Sequence, residues 1–148
     1  MKGMSIIVQK ICQIVAPVIF LFGIYIVIHG HLTPGGGFAG GVIMAGAFIF
    51  QIISYGSDLP KLQKKEFSLE ILESSGILGF LIIACLGLLF STVGIFFANF
   101  LPTGKIGELV SAGYIPLANI VVAAEVSAAI SLIFLAMIVF KEEISDDR

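Results

Sequence analysis

"HGHLTPGGGFAGG", residues 29–41, sets two histidines and a proline within a run of glycines, between two strongly apolar stretches. Glycine at this density means that the backbone bends where a Cβ would clash, or approaches a partner closely. One reading is nucleotide binding, because Gly35-x-Gly37-x-x-Gly40 spells GxGxxG. That motif needs a strand before the glycines and an amphipathic helix after them. The medium of the flanking segments therefore decides the fold.

Composition answers the question of medium. The 148 residues are 58% hydrophobic and 12% charged, with a mean hydropathy of +1.11. Soluble domains carry roughly 45–50% apolar and about 25% charged residues, so a chain this poor in charge could not cover a water-facing surface. No Lys, Arg, Asp or Glu occurs from Ile11 to Tyr55 or from Ser74 to Gly104, and Glu125 alone interrupts Leu109 to Phe140. A spanning helix needs about 20 mainly apolar residues. The runs divide into four such helices, 12–29, 38–55, 75–98 and 117–140, joined by a loop at 56–74 and an outer loop at 99–116. The expectation is an all-α integral membrane protein in which residues 1–148 form a single membrane domain. Pro34 with Gly35, Gly36 and Gly37 supplies the break that keeps 12–55 from being one over-long helix.

Basic residues set the orientation. The two ends and the 56–74 loop hold Lys2, Lys10, Lys61, Lys64, Lys65, Lys141 and Arg148, against Lys105 alone on the other side. The positive-inside rule then places both termini in the cytoplasm and the Gly-rich loop on the outer half. Lys61, Lys64 and Lys65 read as an anchor to lipid headgroups. The first apolar run is too long for a signal-peptide core, so no cleaved leader is expected. The localisation expected is the cytoplasmic membrane, in several passes.

In this setting the GxGxxG string is not a nucleotide motif. Asp58 lies near the offset for a ribose-binding acid, but a membrane helix separates it from the glycines. Nucleic acid is excluded as well, since no basic, aromatic-studded face exists. Cys12 and Cys85 lie in different apolar segments without CxxC spacing and read as packing residues. No cofactor and no metal site is expected.

The glycines read better as packing. Gly37, Gly41 and Ala45 recur every four residues, with Gly40 beside them, and small stripes let helix backbones approach closely in lipid. The last helix repeats the device with Ala124 and Ala128, and with Ala123, Ser127 and Ser131. Two such faces on a four-helix protein favour helix neighbours in other subunits, although the faces could meet each other.

Glu125 needs an explanation. It lies eight residues into the last helix, about 12 Å below the outer boundary at 1.5 Å per residue. A carboxylate there costs about 2.5–3.5 kcal/mol on insertion scales, so it should face a partner or water. Its own face offers Ala118, Val121, Val122, Ala128, Ala129 and Leu132, none of which pairs with it. A place in an ion or proton path, a structural interhelical hydrogen bond and incidental burial all stay open. His29 and His31, at the outer end, titrate near neutral pH and are candidate proton carriers. A backbone-bonded histidine at a helix end is the plainer alternative.

"GHLTPGGGFAGG" at the end of a first spanning helix resembles the MnhB/MrpB subunit of multisubunit cation/proton antiporters. It also resembles the related subunit of membrane-bound hydrogenases and sulfane reductases. "IPLANIVVAAE", residues 115–125, is a second cue. The resemblance covers essentially the whole chain. It implies an accessory, non-enzymatic membrane subunit beside larger proton-translocating ones, in an assembly that exchanges Na⁺ or another monovalent cation for H⁺. The partners implied are other membrane subunits, in some assemblies hydrogenase-like or ferredoxin-linked. The alternatives are a purely structural subunit of a redox-driven complex and a small homo-oligomeric transporter or channel.

Overall fold

The computed structural model describes residues 4–56, 59–91, 94–105, 107–108 and 111–146, with the backbone alone at 59–65 and 140–146. Lys2, Asp58 and Arg148 lie outside the described residues. Four helices follow in chain order: α1 (Ile6–Ile28), α2 (Gly36–Tyr55), α3 (Leu59–Phe90) and α4 (Ile115–Asp146). Each contains a stretch long and apolar enough to cross a membrane: Ile6–Ile28, Gly36–Tyr55, Glu66–Phe90 and Ile115–Val139. No strand occurs among the described residues. The all-α, four-span architecture is the expected one.

The helix limits differ from the expected ones for physical reasons. The segment 59–74 is helical rather than a loop, because charge there keeps residues out of lipid without keeping them out of a helix. Proline in the first turn, at Pro60 and again at Pro116, fits the start of each long helix. The third span ends at Phe90 instead of 98, and the chain then turns through positive φ at Gly94 (61°) and Phe97 (63°). α1 begins at Ile6 rather than 12, and α4 runs beyond 140 to Asp146. Helices α3 and α4 have 32 residues each, and such helices are about 48 Å long at 1.5 Å per residue. A hydrocarbon core is only about 30 Å thick, so both project from the same side.

The helices pack in the order α1–α2–α4–α3, and α1 also touches α4. Small residues make each contact close. An ideal Cβ on Gly40 would lie 2.9 Å from the Gly23 carbonyl oxygen, so α1 and α2 touch backbone to backbone. On the next seam, an ideal Cβ on Gly41 would stand 2.8 Å from the Ala123 oxygen and 3.0 Å from the Val126 Cβ. Ala45 and Ala128 are 1% and 0% exposed. The stripe of α2 therefore meets α4 inside the chain. This corrects the leaning toward neighbours in other subunits: each face supplies the other's close partner.

The two ends of the helix bundle differ. At one end lie the 29–35 turn and the 91–114 connection, joined by the contact between His31 and the Glu108 carbonyl. At the other, the Met4 N–H donates to the Ser54 carbonyl at 2.9 Å. A cluster of Ile52, Leu135 and Ile138, flanked by Phe48, Leu69 and Phe134, fills the interior of that half. The outer faces stay apolar and exposed, with Ile6 at 76%, Ile14 at 72% and Leu89 at 73%. A surface of this kind suits lipid or other membrane helices.

Candidate functional site

The glycine-rich turn reverses the chain from α1 into α2 within seven residues, 29–35. His29 closes α1, its N–H donating to the Tyr25 carbonyl at 3.1 Å. Gly35 and Gly36 then adopt φ of 148° and 78°, a path that side-chain-bearing residues rarely follow. The first turn of α2 has free N–H groups, and no side chain of its own cap serves them. Asn119 of α4 does so instead: its Oδ1 accepts the Gly37 N–H at 3.2 Å. The bond fixes which way the amide points and leaves Nδ2 buried, with no partner among the described residues. Gly37 lies against the Asn119 backbone, where a Cβ would clash. The glycines thus let α2 dock onto a polar residue of α4.

The two histidines stay at this end. The His29 ring nitrogen Nδ1 is 3.0 Å from the Tyr25 oxygen, and its ring lies 4.2 Å from the Tyr25 ring. His31 Nε2 lies 3.3 Å from the Glu108 oxygen, while its Nδ1 is buried without a described partner. Pro34 is exposed in the turn. Among the described residues, no three His, Cys, Asp or Glu side chains gather as metal ligands.

Glu125 is half-buried on the seam between α3 and α4. Ten residues separate it from the start of α4, a depth of about 15 Å. Opposite it is Gly76: an ideal Cβ there would lie 2.7 Å from the Glu125 Cβ and 3.1 Å from its Cα. One helical turn nearer the start of α4, Gly79 faces Val121 at 3.3 Å. No hydrogen bond or ion pair joins the carboxylate to another described residue. Its own helix bonds elsewhere, Ser127 Oγ donating to the Ala124 oxygen at 3.0 Å and Ser131 Oγ to the Ser127 oxygen at 2.6 Å.

Nearer the 91–114 connection, aromatic rings pack together beside α3. After Ser91 the connection folds back along α3, so that the Phe97 N–H donates to the Ala84 carbonyl at 3.4 Å. An ideal Cβ on Gly87 would meet the Ala98 oxygen at 2.6 Å. Phe97 holds φ +63°, which costs about 1–3 kcal/mol for a bulky residue. Its ring centroid lies 5.3 Å from Phe80, 4.9 Å from Phe96 and 6.3 Å from Tyr114. Tyr114 also stacks on Phe100 at 6.2 Å.

The structure thus brings Gly37 to Asn119, Gly41 to Ala123, and Gly76 to Glu125. It places the histidines on the turn between α1 and α2, and Glu125 on the α3–α4 seam. Sequence reasoning passed over Gly76 and Phe97. "SSGILGF", 74–80, carried a signal for the first, since two glycines three apart mark one helix face. Nothing local announced the second.

A protein of Methanocaldococcus jannaschii with no assigned function is 40% identical over 117 residues, covering 74% of this chain and 43% of its own. Antiporter subunits named mnhB2 match too: that of Staphylococcus aureus strain Newman is 31% identical over 93 residues, 63% of this chain and 57% of its own. The corresponding Staphylococcus epidermidis protein is 36% identical over 55 residues, 37% of this chain and 39% of its own. The chain therefore spans only part of the length of each relative. Among solved structures, a chain of the membrane-bound sulfane sulfur reductase, an archaeal respiratory membrane complex, superposes with a TM-score of 0.71 at 31% identity. The match covers 90% of this chain and 57% of that one. The family described as a domain related to the MnhB subunit of the Na⁺/H⁺ antiporter matches residues 7–132. With most of its length matched, the protein is a member of the MnhB family.

Proposed function

We propose that the chain is an accessory subunit of a monovalent cation/proton antiporter module, packed beside larger translocating subunits and lining part of the ion path with Glu125. On this reading it is not itself an enzyme, and it sits in the cytoplasmic membrane with both ends inside. The observation that carries the reading is Glu125. This member of a family whose description names a Na⁺/H⁺ antiporter subunit carries a mid-helix acid with no described partner, its backbone packed against a glycine. A carboxylate at that depth is costly unless water, an ion or another chain meets it. His29 and His31 belong to the proposal as candidate proton carriers on the turn between α1 and α2, although both rings already contact backbone carbonyls.

Glu125→Gln in the native complex is the test, because it removes the charge and keeps the shape. Na⁺-linked proton movement in membrane vesicles should slow while the assembly stays intact. Normal transport by this variant would leave Glu125 a structural role only. A second reading, a structural subunit of a redox-driven complex, is favoured by the likeness to the sulfane sulfur reductase chain. It expects no loss of cation movement in the Gln variant and a weaker assembly in Glu125→Ala.

A further inference from the structure

A groove lies between α1 and α2, running from the middle of the bundle toward the end where Met4 meets Ser54. Its volume is about 450 Å³, within the roughly 300–1,000 Å³ usual for small-molecule sites. Ala16 and Ala47, 1% and 3% exposed, form the floor. Pro17 and Phe20 line it from α1, Phe48 and Gln51 from α2. The two helices touch backbone to backbone at Gly23 and Gly40, so the space between them is a slot. A helix with its side chains is about 10–12 Å across and too wide to reach that floor. A hydrocarbon chain is one methylene wide and can lie along it.

The mouth of the groove is polar and positive. Lys10, Gln13, Pro17 and Phe20 follow at steps of three and four residues, so they share one face of α1. Lys10 Nζ donates to Gln13 Oε1 at 3.4 Å, and both residues are exposed. Gln51 is exposed too, and no hydrogen bond to another described residue holds its amide. Neither α1 nor α2 contains an acidic residue. Glu66, Glu70 and Glu73 belong to α3, which packs on α4 and touches neither of them. Among the described residues, the charge of Lys10 has no counter-ion.

From this geometry we infer that the groove binds one anionic phospholipid, with a hydrocarbon tail along Ala16, Phe20 and Phe48 and the phosphate at Lys10. Gln13 Nε2 and Gln51 Nε2 donate to headgroup oxygens. Burial of the tail is non-directional and does not choose between lipids. The charge at the mouth does, as in other basic pockets between spanning helices. The site stands apart from Glu125, and its test reads no transport.

Two photoreactive lipids supply that test: phosphatidylglycerol and phosphatidylcholine carrying the same diazirine-labelled tail. Each is added to the whole native complex in phosphatidylcholine vesicles, and crosslinked peptides are located by mass spectrometry. Phosphatidylglycerol should label the peptides of Phe20 and Phe48 about fivefold more than phosphatidylcholine does, the factor expected of one basic residue near an anionic headgroup. Lys10→Gln should abolish the preference, and Lys10→Arg should keep it. Leu78, 59% exposed on α3, marks ordinary lipid contact and should be labelled alike by both. If Lys10→Gln does not accumulate, about 0.5 M NaCl screens the same charge in the unaltered complex and carries the same expectation. Equal labelling of the groove by the two lipids overturns the site, as does a preference that survives loss of the charge. No labelling of the groove by either lipid also overturns it, and assigns this face to a neighbouring subunit.

Discussion

Gly76 faces Glu125 so closely that an ideal Cβ on the glycine would lie 2.7 Å from that of the acid. The neighbours at 3.1 and 3.2 Å are the acid's own Cα and N, so nothing nearby is free to swing aside. Gly76→Ala should therefore push α3 from α4 and cost about 1–3 kcal/mol, the usual range for overpacking. Thermal aggregation of the purified complex would show this as a lower midpoint. An unchanged midpoint would mean that the two helices are not in contact here.

Gly41 supports the neighbouring seam in the same way. Gly41→Leu should lower recovery of the intact complex, because the added side chain would meet the Ala123 backbone. Val42, 39% exposed on the same helix, is the control, and Val42→Leu should be tolerated. Equal recovery of the two variants would refute the α2–α4 contact.

Asn119 caps α2 from another helix, so chemistry should matter there more than volume. Asn119→Leu should destabilise by about 1 kcal/mol, as loss of an N-terminal capping oxygen does. Asn119→Asp keeps the acceptor for the Gly37 N–H and should retain most of that stability. A leucine variant as stable as the aspartate one would show that the hydrogen bond contributes nothing.

We propose from the basic residues that both termini are cytoplasmic, and single cysteines test it. Replacements at His31 or Lys105 should react with an impermeant thiol reagent outside the cell, and replacements at Lys61 or Ser145 should not. Outside labelling at 61 would reverse the topology.

Much of this was legible in the residues. The uncharged runs marked four spans because lipid selects composition over any twenty-residue window. The four-residue spacing of Gly37, Gly41 and Ala45 marked a packing face for an equally simple geometric reason. Which face met which was not legible, since a small stripe looks the same whether its partner is α4 or another chain. The ends of α3 were misplaced because hydropathy reports the medium and not the conformation. Glu125 was found from its cost alone. Its glycine counterpart lies forty-nine positions away by number (125 − 76), and only the arrangement of helices pairs them. The capping by Asn119 and the fold-back of Phe97 likewise depend on contacts between distant segments.

The packing order also bears on how the chain is made. Helices α2 and α3 follow each other through a short connection, yet α4 stands between them and their backbones do not touch among the described residues. Synthesis delivers α1, α2 and α3 to the bilayer before α4 exists. The α1–α2 hairpin can close at once through Gly23 and Gly40, whereas the notches at Gly41 and Gly76 must wait with their backbones unpacked. The arrangement predicts that α4 is the last helix to find its place, between α2 and α3. A ribosome stalled before Ile115 would leave an intermediate with two open glycine faces, a natural substrate for membrane quality control.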